Sequence, residues 1–156
     1  MINPSLYSSK SDEWETPPEL FAKLDAVFHF DLDPCATDAN HKCERYFTKE
    51  QDGLAQHWWG SESVFINPPY SQIDKWVEKA WGLATCSRIV VLLIPSRTDT
   101  RWFQDYAPMA TAIYFIKGRV KFVGGNASAP FPSMVVVFGG SHAKTPEIEG
   151  MLRVRL

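Results

Sequence analysis

Apolar residues follow two rhythms along this chain. Leu20, Phe21, Leu24 and Val27 share one face at helical spacing. The residues before them, Thr16-Pro17-Pro18-Glu19, have the form of a helix start: a threonine to cap, a proline at the first helical position and a glutamate to close a capping box. Ile73, Trp76, Val77, Ala80 and Trp81 repeat the helical pattern, with Ser71 placed as a cap. Strands are predicted where residues alternate or run apolar: 28–32, stopping at Asp33-Pro34, then 64–66, 89–94, 112–116 and 134–138. A short helix is expected near 102–106, another near 39–44, and a short strand at 45–47. Gly118, Gly124, Gly125, Pro130 and Pro132 mark a long loop or ragged hairpin, and 139–156 has no strong pattern.

Strands alternating with amphipathic helices predict an α/β fold, a mainly parallel sheet with helices on both faces. Strand, loop and strand without an intervening helix predict an antiparallel last strand. Loops at Asp33, Asn67 and Pro95 then gather at one edge of the sheet. The expected organisation is a flexible arm over 1–13, one domain over 14–140 and a C-terminal extension over 141–156.

The 156 residues are 45% apolar, which suits a single core. No apolar run approaches the ~20 residues of a membrane helix, and the first residues lack a basic-then-apolar leader. A soluble, intracellular protein with no membrane partner is expected. Cys35, Cys43 and Cys86 have no CxxC spacing, which argues against a disulfide framework; Cys35, His41 and Cys43 have no second ligand pair, so no metal is expected.

The net charge of −2 is unevenly spread. Residues 1–55 hold five Lys/Arg against eleven Asp/Glu, whereas 88–121 hold six (Arg88, Arg97, Arg101, Lys117, Arg119, Lys121) against two. Basic residues interleaved with Trp102, Phe103 and Tyr114 suggest a polyanion-facing surface; the alternative is an ordinary solvated face over core aromatics.

The most specific chemistry follows the strand at 64–66, in Asn67-Pro68-Pro69-Tyr70. A strand ending this way sets an amide, backbone carbonyls and an aromatic face at the edge where open α/β folds bind ligands. An aromatic amine is a poor nucleophile because its lone pair is delocalised into the ring. Acceptors on both amine protons, the Asn67 side-chain oxygen and the Pro68 carbonyl, would localise that pair and strengthen as positive charge develops. Pro69 fixes the turn and Tyr70 offers a stacking face.

Trp14-Glu15-Thr16-Pro17-Pro18, Asp33-Pro34-Cys35-Ala36, Asp52-Gly53-Leu54, Asn67-Pro68-Pro69-Tyr70, Arg101-Trp102-Phe103 and Ala129-Pro130-Phe131-Pro132-Ser133 occur in this order. From Trp14 to about Phe138 the chain resembles the phage-type DNA adenine-N6 methyltransferases. The resemblance implies a Rossmann-like methyltransferase domain that moves a methyl from S-adenosylmethionine to the amine of a flipped-out adenine in double-stranded DNA. It implies Asn67, Pro68, Pro69 and Tyr70 as the catalytic set. Asp33 would accept from the cofactor ammonium, with backbone around Pro34, Cys35 and Ala36 close by. Trp14, Thr16 and Pro17 would lie at the cofactor carboxylate, Asp52 near its adenine, and Asn67 beside its methyl. Arg97, Arg101, Arg119, Lys121, Asn126 and Ser128 would face DNA. The setting implied is the cytoplasm of a bacterial host.

Other readings share parts of this pattern. Asn67–Tyr70 also suits cytosine-N4 in DNA, adenine in RNA or glutamine in protein. The loop after Asp33 has no glycine, which leaves open a non-catalytic module that binds S-adenosylmethionine or DNA. The ribose ligand is open between Glu44 and Glu50, and the chain acts as a monomer or a homodimer. A nucleotide-dependent oxidoreductase lacks its GxGxxG after the first strand.

Overall fold

In a computed structural model, residues 13–125 and 127–156 are described. The expected N-terminal arm, apart from Glu13, and Asn126 lie outside them. Seven strands form one sheet in the order β2-β1-β3-β4-β6-β5-β7. These are β1 Leu32–Ala36, β2 Arg45–Thr48, β3 Ser63–Ile66, β4 Ile89–Pro95, β5 Ala112–Ile116, β6 Ser133–Phe138 and β7 Met151–Val154. β1 to β4 pair in parallel. β6 inserts between β4 and β5, antiparallel to both, so β5 runs with β4. β7 closes the far edge antiparallel to β5. The carboxyl ends of β1, β3, β4 and β5 therefore share one edge.

Helices cover both faces. α2 (Ile73–Leu83) and α3 (Arg101–Tyr106) pack on the face built by Leu32, Val64, Ile66, Leu92 and Val136. α1 (Pro18–Phe28) covers the other, against Phe65, Val91, Leu93 and Val135. Every residue of β4 is buried, as its unbroken apolar run requires. The ragged stretch after β5 is tied into the α1 face by Val120, Phe122 and Ala129 and bridges back through Val123 to Glu15.

Several local expectations are corrected. Residues 28–32 are not a strand. Phe28 ends α1, His29 turns the chain in a left-handed conformation (φ 53°), and the Asp25 carboxylate accepts from the Phe30 N–H. β1 begins only at Leu32 and runs through Pro34, where its register against β2 slips. No helix forms near 39–44, because Thr37 and Asn40 take each other's backbone N–H groups with their side chains. Thr16 does not cap α1: the cap position is Pro17, without a side-chain bond. Ser71 likewise does not cap α2, which follows a 3-10 turn at Tyr70–Gln72 and starts after Gln72. Thr100 does cap α3, accepting from the Phe103 N–H. The patternless 141–156 carries β7, secured where the Tyr114 hydroxyl donates to the Pro146 carbonyl and Arg153 to the Thr145 carbonyl.

Candidate active site

A cavity of about 420 Å³ opens at the carboxyl ends of β1 and β3, within the range of small-molecule and cofactor sites. Trp14, Thr16, Asp33, Pro34, Cys35, Ala36, Asp52, Asn67, Pro68 and Pro69 line it. Candidate residues from four separate stretches of sequence thus meet in one place.

Asp33, near the start of β1, is buried. Its two oxygens accept from the backbone N–H groups of Cys35 (3.3 Å) and Lys42 (3.0 Å). Burial pushes its carboxyl above the ordinary carboxylate value, opposed by those two N–H groups and by the charge of Lys42. The carboxylate is held rigidly, and a cation in the cavity would favour its charged form. The far wall is made by Asp52, in a left-handed turn (φ 55°), and by Gly53. A Cβ on Gly53 would lie 1.9 Å from the Pro34 carbonyl oxygen, so only glycine lets the two loops meet. The Trp58 indole N–H donates to the Gly53 carbonyl (3.0 Å), and Lys79 donates to the carbonyls of Leu54 and Gln56.

Asn67 is the centre of the arrangement. Its amide nitrogen has two hydrogens, and both are taken: one by the Trp14 carbonyl, one by the Thr16 hydroxyl at 2.9 Å. Because a carbonyl can only accept, this network assigns which end of the amide is nitrogen. The oxygen, Oδ1, points elsewhere and is buried with no hydrogen-bond partner. Leaving such an acceptor unmet costs about 1–3 kcal/mol. Tyr70 stacks on Trp14 (6.3 Å between centroids, 18° between planes) and meets Phe131 edge-on. Burial pushes its phenol well above the ordinary value, so it stays neutral.

Three contributors have no site role assigned from the sequence: Gly53, named there only within the Asp52-Gly53-Leu54 motif, Trp76, placed only in the helical pattern, and Lys42, whose N–H anchors Asp33. Glu44 and Glu50 do not line the cavity, whereas Thr48 and Lys49 do. Trp58 is core (1% exposed) and Trp59 surface (72%).

Arg97, Arg101, Arg119, Lys121 and Ser128 are all exposed, on segments leaving the carboxyl ends of β4 and β5. Arg101 pairs with Asp105 at 3.4 Å, and exposed pairs of this kind hold weakly. Arg88 departs from the expected basic surface: at the opposite edge, its guanidinium donates to the carbonyls of Ser61, Leu83 and Trp58. His41 bonds the Cys43 carbonyl and stacks on Tyr46, while burial pushes the Cys43 thiol up to about 12, which disfavours a thiolate ligand. Among the described residues no group of three His, Cys, Asp or Glu side chains is placed to hold a metal ion.

The fold, an α/β sheet with an antiparallel strand inserted between β4 and β5 and a cavity at the ends of β1 and β3, is Rossmann-like. A dimethyladenosine transferase from Plasmodium falciparum has the same fold (TM-score 0.53) over 85% of this chain and 65% of that one, at 8% identity. The family model described as DNA N-6-adenine-methyltransferase (Dam) matches residues 4–138, and the chain belongs to that family. A DNA N-6-adenine-methyltransferase of Escherichia phage T1 is 31% identical over 82% of this chain, which spans 55% of that relative's length. One of Haemophilus phage HP1 is 30% identical, over 88% of this chain and 84% of the relative.

Proposed function

We propose that the protein methylates the exocyclic N6 amine of adenine in double-stranded DNA, using S-adenosylmethionine. The observation that carries this reading is the Asn67 amide: both its hydrogens are bound, and its buried oxygen has no partner. That oxygen suits an –NH2 group, which satisfies it and is activated by it. The Pro68 carbonyl is the second acceptor, in a turn made stiff by Pro69. Tyr70 supplies the ring face for the flipped base; every base has such a face, so the contact adds affinity without choosing sequence.

The cavity's chemistry fits the cofactor. Asp33 suits the ammonium, Thr16 the carboxylate, and the Asp52–Gly53 turn the opposite end. Bound there, S-adenosylmethionine supplies a sulfonium methyl group. The residues of this chain align the amine with it and accept hydrogen bonds from its two N–H groups, and alignment itself is a large part of the rate. Arg97, Arg101, Arg119, Lys121 and Ser128 surround the same edge, where a duplex would approach.

The test is incubation with methyl-labelled S-adenosylmethionine and defined duplexes, followed by digestion to nucleosides. N6-methyl-2′-deoxyadenosine is the expected product. Label in methylcytosine, or in RNA or protein supplied in place of DNA, would assign one of the other planar amines. Calorimetric binding of cofactor with no transfer to any substrate would make the protein a binding module.

A further inference from the structure

Thr16 stands between two functions. Thr16 is buried and lines the cavity, and its hydroxyl accepts from Asn67 Nδ2 at 2.9 Å. A threonine hydroxyl also has one proton to donate. The start of α1 is otherwise poor in donors for an anion, because Pro17 and Pro18 carry no N–H. The Thr16 hydroxyl is thus a donor open to an anionic group bound at this end of the cavity, whose wall also carries Lys42 and Lys49.

We infer that Thr16 is a positioning residue that relays cofactor binding to the catalytic amide, donating to the cofactor carboxylate while it accepts from Asn67. The inference rests on the reading of the site given above. In such a chain each hydrogen bond polarises the next. A carboxylate drawing on the Thr16 proton makes the hydroxyl oxygen a stronger acceptor for Asn67 Nδ2. The amide shifts electron density toward Oδ1, the atom that meets the substrate amine. With the cofactor bound, Asn67 is a better acceptor than without it. The Trp14 carbonyl, bonded to the other Nδ2 hydrogen, keeps the amide from flipping throughout.

The experiment compares the intact protein with Thr16→Val, which keeps the shape and removes the hydroxyl, and Thr16→Ser, which keeps the hydroxyl. Three quantities are read: affinity for S-adenosylhomocysteine by calorimetry, the side-chain amide resonances of Asn67 with and without it, and single-turnover methyl transfer at saturating cofactor. Thr16→Val is expected to weaken affinity roughly tenfold, the scale for losing a hydrogen bond to a charged group, and to slow transfer by about tenfold more. Thr16→Ser is expected to recover both to within about threefold, since it restores the same bonds. The Asn67 resonances should move on cofactor binding in the intact protein and in Thr16→Ser, and stay in place in Thr16→Val. Transfer by Thr16→Val at the intact rate, or Asn67 resonances that move equally in all three proteins, overturns the relay while leaving the proposed function standing. Failure of Thr16→Ser to recover what a folded Thr16→Val loses also overturns it. An intact protein that binds no S-adenosylhomocysteine overturns both.

Discussion

Asp33 and Asn67 lie on neighbouring parallel strands, one near the start of β1 and one just past the end of β3, yet they are prepared in opposite ways. Both oxygens of Asp33 already accept from backbone N–H groups of its own loop. Asn67 has its hydrogens fastened and its acceptor bare. The first arrangement holds a charge in place before any ligand arrives, which suits a partner bound in every turnover. The second leaves a polar atom unsatisfied until one particular group reaches it, which suits selection of a substrate. On the proposed reading of the site the contrast separates holding from activating, and mutation can test where that division fails.

The largest effect is expected at Asn67. Asn67→Ala should lower methyl transfer by about two to three decades, the scale for losing one transition-state acceptor, while calorimetric cofactor affinity stays nearly intact. Equal losses in both would merge the two roles. Asp33→Ala should do the reverse, weakening cofactor affinity by roughly ten- to a hundredfold through loss of a charge-assisted bond, with single-turnover transfer at saturating cofactor much less affected. Its pH dependence sharpens the point. Burial raises the Asp33 carboxyl above its ordinary 3.8, and only the ionised form attracts an ammonium. Affinity should therefore be full above the raised value and fall as pH drops through it, beginning on the neutral side of 3.8. Asp33→Asn should flatten that profile in calorimetric titrations.

A smaller effect belongs to Tyr70. Tyr70→Ala should lose about 1–3 kcal/mol of base stacking, read as weaker DNA binding and slower transfer, and Tyr70→Phe should keep most activity. If phenylalanine proves as harmful as alanine, the hydroxyl is the working part. The smallest effect is expected at the basic rim. Arg119→Ala and Lys121→Ala should each weaken binding to all duplexes alike and lower the salt slope by about one unit if they meet phosphate. A change of preference at one base position would assign an edge contact instead.

Much of this arrangement is legible in the sequence because it is local. The apolar β4 run, the helical spacing of α2 and the Asn-Pro-Pro-Tyr turn after β3 each announce themselves within a few residues. What escapes depends on distant partners. Thr16 reads as a cap since its actual partner, Asn67, is 51 residues away. Nothing near Gly53 in the sequence shows why glycine stands there, since the reason is the Pro34 carbonyl. β7 is four residues long and mostly half-exposed, so it has no pattern to betray it until β5 offers an edge. The aromatic alternation of Phe28 and Phe30 imitates a strand, but both rings are used in packing around the end of α1.

Because β6 lies between β4 and β5, the sheet cannot close in the order in which it is synthesised. Residues 89–95 and 112–116 leave the ribosome first, and both lack their shared partner until 133–138 arrives between them. At about 5–20 residues per second, the buried core strand β4 spends a second or more with one edge unpaired. Its side chains are apolar throughout, and an unpaired strand edge of that kind is a template for other chains. The Asn67 turn precedes in the chain most of the sheet that supports it, which is complete only once 151–154 has followed 133–138.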